Sequence, residues 1–473
     1  TYARLPVTFS HGEGVYLYDT DGRRYLDAIA GIAVNGLGHA HPAVTAAIRE
    51  QADKLVHTSN LYRIGAQEQL GEALTAVAGM ENCFFGNSGA EANEAAIKLA
   101  RLYGHQRKID KPAIVVLEGA FHGRTLATLS ATGNRKIQAG FEPLVTGFIR
   151  APRNDIQALR QIAAHNPGVV AVLAEPIQGE SGVYPLDAEY LQAVREICDE
   201  EHWLLMLDEV QTGNGRTGTY FAFQGLGVMP DVVTTAKGLG NGVPIGACLA
   251  RGAAAQVLGL GQHGSTFGGN PLACATALAV LNTISTTGIC DNATAMGQLI
   301  TDNLLADSEA AANIVEIRGR GLMLGIQLGR EYPEMAQRAF EAGLLINVTA
   351  GNPYFTPHIN RPYDVPVPGA QVPDEHPLFG VARIVDLARK AKHAVPELVI
   401  VASGYSWLRH FLGNAAAATL RRGDADLIGV GREAFAYPEF ARDLLQNGAL
   451  DPKKCCVTCS RCTQIMRDGG RCG

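Results

Sequence analysis

Three short stretches hold residue types that could do carbonyl chemistry. Lys237 follows the apolar run Val232–Thr235 and opens Lys-Gly-Leu-Gly-Asn-Gly. A lysine at a strand's carboxyl end, among glycines that let a ligand approach, suits a Schiff base to an aldehyde cofactor. Taken alone, it reads more often as an ordinary surface lysine. Asp208 and Glu209 end the apolar run 204–207. The carboxyl ends of parallel strands are where α/β sheets bind ligands, and a carboxylate there could pair with a protonated pyridine nitrogen. The plain alternative is a solvated acid at a strand end. Gly86-Asn87-Ser88-Gly89 joins the run 83–85 to a helical pattern that begins near Ala90. Small residues at a helix N-terminus present free N–H groups to an anion such as phosphate, or are simply N-caps; one residue can serve both ends. Lysine, aspartate and phosphate cradle together are the set that pyridoxal phosphate requires. Two G-x-G-x-x-G matches, at 213–218 and 259–264, lack the following helix that a dinucleotide fingerprint needs, so neither is read as a nicotinamide site.

The elements that would position these residues are short apolar runs alternating with helical patterns. Candidate strands lie at 83–85, Ala113–Leu117, Val169–Ala174, 204–207 and Val232–Thr235, with helices at 90–103 and 188–201 between them. This alternation predicts an α/β fold built on a mainly parallel sheet covered on both faces. The opening segment, with Gly14, Gly22 and Tyr25, reads as strand, turn and strand. Residues 301–312 look helical, and 315–328 look like strands and turns. These two ends are expected to meet in a smaller α+β domain. The predicted subdivision is therefore 1–50 and 291–351 as the small domain, 51–290 as the large one, and 352–473 as a separate segment. Composition marks the last boundary, because Pro353, Pro357, Pro362, Pro366, Pro368, Pro373 and Pro377 crowd a stretch that cannot be regular helix or central strand. Beyond it, helices at 381–392 and 408–418 alternate with strands at 398–401 and 427–430.

Composition limits the partners. The 473 residues, 47% apolar and only 18% charged, exclude a disordered chain or a coiled coil. A net charge of −6 is too mild to point to nucleic acid or an anionic membrane. No apolar run approaches the ~20 residues of a membrane-spanning helix, and the opening Thr-Tyr-Ala-Arg-Leu-Pro has no signal-peptide pattern, so a cytoplasmic location is expected. Cys83, Cys198, Cys248, Cys274 and Cys290 stand alone in apolar contexts and read as buried thiols. Cys455, Cys456, Cys459, Cys462 and Cys472 crowd the last twenty residues, where metal or cluster ligation is worth testing.

At this point the chain resembles a known family. Residues 1–350 are similar to the class III, fold-type I aminotransferases, and within them to the branch that acts on N-acylated ornithine. The stretches that carry the resemblance are 31–34, 38–42, 87–93, 121–125, 175–182, 208–213, 235–240 and 264–271. The resemblance implies that Lys237 holds the cofactor covalently and moves a proton, that Asp208 pairs with the ring nitrogen, and that Gln211 contacts the phenolic oxygen. It implies that Ser88, Gly89 and Ala90 cradle the phosphate and that Phe121 stacks on the ring. Thr266 would reach the phosphate of a neighbouring subunit, which implies a homodimer. Arg124 and Tyr2 would contact the substrate, with Arg124 forking onto a carboxylate. Gly31 stands where ornithine-specific relatives carry a tyrosine, which favours N-acetylornithine, or its succinyl analogue, over free ornithine. The implied reaction passes the distal amino group of N-acetylornithine to 2-oxoglutarate, yielding glutamate. In the family, a glutamate matching Glu180 pairs with an arginine from a later segment. Here that arginine has no counterpart in register, and Arg361 is the nearest substitute along the chain.

Residues 352–473 resemble the last quarter of the old yellow enzyme family of flavin-dependent (β/α)₈ barrels. The carriers are 356–362, 373–380, 403–405 and 429–438. The resemblance implies an FMN phosphate cradle at Gly404, Gly431 and Arg432. The barrel's earlier strands and ring-holding residues have no counterpart, so the expectation is a partial (β/α) barrel-like segment; a flavin or iron–sulfur oxidoreductase activity there, or another class III ω-aminotransferase activity, is the alternative function. Cys456, Cys459, Cys462 and Cys472 could hold an iron–sulfur cluster or zinc, with a thiol-rich exposed tail as the alternative.

Overall fold

The computed structural model describes residues 4–346 except 181, 331 and 333, and then residues 377–394, 396, 399–402, 408, 412–428, 439–447 and 450. The chain divides into two compact units, Thr1–Val348 and Thr349–Gly473.

The first unit is organised by a seven-stranded sheet. Its spatial order is Asn82–Gly86, Gly246–Ala250, Val232–Thr235, Leu204–Asp208, Val169–Ala174, Ala113–Leu117 and Phe148–Ala151. The last five pair in parallel, while Gly246–Ala250 runs antiparallel to both neighbours. A parallel crossover needs a dozen or more residues. The short 236–245 link out of Val232–Thr235 therefore returns the chain antiparallel. The central strands Val169–Ala174 and Leu204–Asp208 are buried at every residue, which is why they stand out as unbroken apolar runs. The helix Gly89–Gln106 lies across the sheet on a row of small residues, Ala92, Ala95, Ala96 and Ala100, all buried. Their size lets helix and sheet backbones come close.

The N-terminal strands of this unit pair with a late strand, not with the 315–328 region. Phe9–Glu13, Tyr16–Asp19 and Arg24–Asp27 form an antiparallel sheet, and Leu344–Leu345 adds to it in parallel, with Leu344 opposite Leu26. Ile314–Arg320 and Met323–Leu328 form a hairpin that is a sheet of its own. The single helix expected over 301–312 is two helices, Ile289–Ala306 and Ser308–Asn313. Asp307 separates them, because its side chain accepts from the N–H groups of Glu309 and Ala310 and starts the second helix.

In the second unit, helices span Pro377–Ala394, Leu412–Arg421 and Phe440–Asn447. Val401–Ala402 and Leu427–Ile428 pair in parallel on either side of the Leu412–Arg421 helix in sequence. Ala402, Leu412, Ala425 and Leu450 make its small core. The proline-dense stretch up to 376, Arg361, Gly404, Gly431, Arg432 and Cys456, Cys459, Cys462 and Cys472 all lie outside the described residues. Among the described residues no cluster of side chains could hold a metal ion, and no single helix is long and apolar enough to cross a membrane. Cys83, Cys198, Cys248, Cys274 and Cys290 are free, and burial pushes the Cys83, Cys248 and Cys274 thiols up to about 12, which leaves them inert at neutral pH.

Candidate active site

Lys237 leaves the strand Val232–Thr235 through Ala236 and opens a short 3₁₀ turn with φ +44°, a left-handed conformation rare for a side-chain-bearing residue. Its surroundings over-determine that turn. Asn214 donates from Nδ2 to Thr235 Oγ1 at 3.0 Å and to the Ala236 carbonyl at 3.2 Å. A Cβ on Gly240 would collide with the Val243 carbonyl, so only glycine closes the turn. Burial lowers the Lys237 ammonium's pKa from its ordinary value. Asp208, Glu175 and Glu180 oppose that shift, while Arg216 adds to it.

Asp208, at the end of the next strand, is buried rather than solvated. Its Oδ2 accepts from Asn93 Nδ2 at 2.7 Å and His122 Nδ1 at 2.8 Å, and its Oδ1 from the Val210 N–H at 3.0 Å. Glu209 points the other way. Its carboxylate accepts from the N–H groups of Ala222 at 3.0 Å and Phe223 at 2.8 Å, capping the helix Ala222–Leu226. Burial pushes the Glu209 carboxyl up to about 7. Asp208 ends the strand and Glu209 follows it, and successive residues of extended chain point to opposite sides, so one serves the cleft and the other the fold.

The strand Asn82–Gly86 and the helix Gly89–Gln106 build the anion cradle. Ser88 is the N-cap, its Oγ accepting from the Glu91 N–H at 3.2 Å, and Gly89 and Ala90 form the first turn. Glu91 reaches back to the Asn87 N–H. A Cβ on Gly89 would lie 2.7 Å from Val210 Cγ1, and one on Gly246 would collide with the Ser88 carbonyl. These glycines bring the cradle, the segment after Asp208 and the antiparallel strand into contact.

Glu175 ties the remaining pieces together. Its Oε1 accepts from the Phe121 N–H at 2.8 Å and its Oε2 from the Gly179 N–H at 3.3 Å. Burial pushes this carboxyl up to about 7, with nearby His122 opposing the shift and Asp208 adding to it. Gln211 lies against Gly179, where a Cβ would collide with its Oε1. The Arg124 guanidinium carbon sits 5.6 Å from the Phe121 ring centroid.

Lys237, Asp208, Phe121, Gln211 and the Gly179–Glu180 turn are thus joined through short bonds or direct electrostatic action, with Ser88, Gly89 and Ala90 reached through Val210. Thr266 is exposed on the 264–270 loop, beside a cavity of about 350 Å³ that His57, Ser59 and Asn60 also line. That loop is fastened to the cradle by Asn87 Nδ2, which donates to Ser265 Oγ at 3.1 Å. Gly31 is exposed and has φ +65°, a left-handed conformation that strains a side chain, although Ala30, Ile32 and Ala33 beside it also adopt positive φ. Tyr2 lies outside the described residues. Sequence reasoning passed over Asn93, His122 and Glu175. Each falls inside a motif stretch already noted, but its partner is fixed only by the sheet order.

A model of the family described as aminotransferase class-III matches residues 1–358. The acetylornithine aminotransferase of Nitrosomonas europaea is 57% identical over 350 residues, 74% of this chain and 89% of that protein. That of Aquifex aeolicus is 47% identical over 351 residues, 74% of this chain and 91% of its own. Among solved structures, the N-acetylornithine aminotransferase from Stenotrophomonas maltophilia superposes with a TM-score of 0.64 at 38% identity, over 74% of this chain and 89% of that one. The ornithine aminotransferase from Toxoplasma gondii gives 0.71 at 34% identity, over 74% and 85%.

Proposed function

The chain belongs to the class-III aminotransferases, and from that membership we propose that it transfers the distal amino group of N-acetylornithine to 2-oxoglutarate, giving N-acetylglutamate semialdehyde and glutamate. The observation that carries this reading is a desolvated lysine beside a buried, triply hydrogen-bonded aspartate, near a helix N-terminus. The family's cofactor is pyridoxal phosphate, and this donor set fits it: an amine for the aldehyde, a carboxylate for the ring nitrogen, and free N–H groups for the phosphate.

When bound, the cofactor supplies an electron sink that takes up and returns an amino group. In this reading Ser88, Gly89 and Ala90 hold its phosphate, Phe121 covers the ring, Gln211 meets the phenolic oxygen, and Asp208 holds a proton at the ring nitrogen. Asn93 and His122 orient Asp208 by donating to one of its oxygens. Lys237 moves a proton at Nζ. Desolvation favours its free base, which can take a proton from the amine-bearing carbon of the substrate. Arg124 offers its fork to the substrate carboxylate. Thr266 would serve a second subunit's phosphate. A homodimer is supported by the exposed Leu61, Tyr62 and Phe267 near that loop.

Free ornithine is the competing substrate, favoured by the higher TM-score of the ornithine aminotransferase. The 57% identity with an acetylornithine enzyme favours the acylated one. Transamination kinetics of the purified chain decide it. A higher kcat/KM for ornithine than for N-acetylornithine refutes the proposal. We assign no flavin or iron–sulfur activity to residues 352–473. We keep 1–50 and 291–351 as a small domain around 51–290, and an amino-acid biosynthetic role in the cytoplasm.

A further inference from the structure

Two hairpins meet beside the site. One pairs Ile177–Gln178 with Tyr184–Pro185, Gln178 opposite Tyr184, and carries Glu180 in its turn. The other is the Ile314–Arg320 and Met323–Leu328 hairpin, in which Arg318 lies directly across the ladder from Gly325. Both of these residues meet the turn of the first hairpin. Arg318 Nε donates to the Gly182 carbonyl at 3.0 Å and the Val183 carbonyl at 2.8 Å. Its Nη1 donates to Glu316 Oε2 at 2.9 Å and Gln327 Oε1 at 2.8 Å, so the fork is aimed from within its own hairpin. A Cβ on Gly325 would lie 2.7 Å from the Gly182 carbonyl oxygen, so the close approach requires glycine.

Tyr184 strengthens the hold. The guanidinium carbons of Arg318 and Arg153 each lie 4.1 Å from its ring centroid. Arg153 Nη1 also donates to Gln178 Oε1 at 2.9 Å, across the hairpin from Tyr184. The turn needs such a hold, because Val183 has φ +57°, which a β-branched residue rarely adopts. The turn also touches the site: Gly179 bonds Glu175 and packs on Gln211, and the Glu180 carboxylate acts electrostatically on Lys237.

The two substrates make different demands on that turn. Glutamate and 2-oxoglutarate carry a carboxylate on the reacting carbon itself. N-acetylornithine carries its carboxylate at the far end of the chain from the reacting amine. The position of the Glu180 charge therefore matters most for the dicarboxylate pair. We infer that Arg318 is a positioning residue: through the carbonyls of Gly182 and Val183 it fixes the turn that presents Glu180, and so sets how the site accepts the dicarboxylate substrate. The substrate part rests on the proposed function; the mechanical part does not.

The test uses the holoenzyme with Arg318→Met and Gly325→Ala, and each combined with Glu180→Gln. Each single change should raise KM for 2-oxoglutarate about tenfold, with KM for N-acetylornithine within about twofold. In the Glu180→Gln background Arg318→Met should add less than about twofold, because coupled residues are not additive. Hydrogen exchange of the peptide covering 177–185 should quicken about tenfold in both variants. Equal losses for the two substrates, full additivity with Glu180→Gln, or unchanged exchange would overturn the inference. A chain that transaminates neither substrate refutes the proposed function instead, and the exchange measurement then decides alone whether Arg318 holds the turn.

Discussion

Replacing Asn93 with alanine probes the centre of the site through a side chain whose hydrogen bonds go to Asp208, His122 and Thr234 rather than to Lys237 or the cradle. Asn93 is 1% exposed and fully engaged. Its Nδ2 donates to Asp208 Oδ2 at 2.7 Å and to the His122 carbonyl at 2.8 Å, and its Oδ1 accepts from Thr234 Oγ1 at 2.6 Å. Removing a donor to a charged acceptor costs about 1.5–3 kcal/mol. If Asp208 must be held in place for the chemical step, that is roughly a 10- to 150-fold loss in kcat. The same change strands the His122 carbonyl and the Thr234 hydroxyl in a dry interior, at about 1–3 kcal/mol each. Stability should therefore fall as well, by an amount large against a typical net of about 5–15 kcal/mol. Thr234→Val separates the two effects. It removes only the bond to Asn93, leaves all three donors on Asp208, and spares the Thr234 carbonyl that accepts from the Glu209 N–H. By leaving Asn93 Oδ1 without that donor it should cost about 1–3 kcal/mol of stability and leave kcat within about twofold. Steady-state kinetics well below each variant's melting temperature, with denaturant unfolding alongside, read both quantities. An Asn93→Ala enzyme that turns over within about twofold of the parent would refute the orienting role, as would a Thr234→Val enzyme that loses as much.

Three further outcomes follow from the same geometry. Borohydride reduction of the holoenzyme, followed by peptide mapping, should find the cofactor fixed to Lys237; any other trapped lysine refutes the assignment. N-acetylornithine should exceed ornithine in kcat/KM, whereas Gly31→Tyr should lose stability as well as that preference, because φ +65° strains any side chain there; unchanged melting would contradict the backbone reading. Burial raises the Glu209 carboxyl from 4.5 to about 7, so between those values the native state keeps a proton that the unfolded chain has released, and the contribution to stability falls as pH rises through that window. Glu209→Gln should flatten that part of the profile in pH-dependent denaturant unfolding, and an unaltered slope would show that the group does not titrate there.

How far the site could be read from the chain depended on the range of the interaction. Runs such as Val169–Ala174 were legible because strands buried on both faces need no alternation. The half-buried strand Phe148–Ala151 and the short antiparallel Gly246–Ala250 escaped, the first for its mixed pattern, the second because its direction is set by a link too short for a crossover. Ser88 was legible because a cap is local. Asn93 and His122 were not, because their common partner Asp208 lies far along the chain and is reached only once the helix Gly89–Gln106 has crossed the sheet. The same logic explains why Arg318 drew no attention. Its neighbours Gly319 and Gly321 announce a turn, but its bond to Gly182 and Val183 exists only because a ladder places it opposite Gly325, and because Gly325 lets that backbone in. Such a residue is recognised by what stands across from it, and a change at Gly325, which carries no functional group, should therefore be felt at Glu180 as strongly as a change at Arg318 itself.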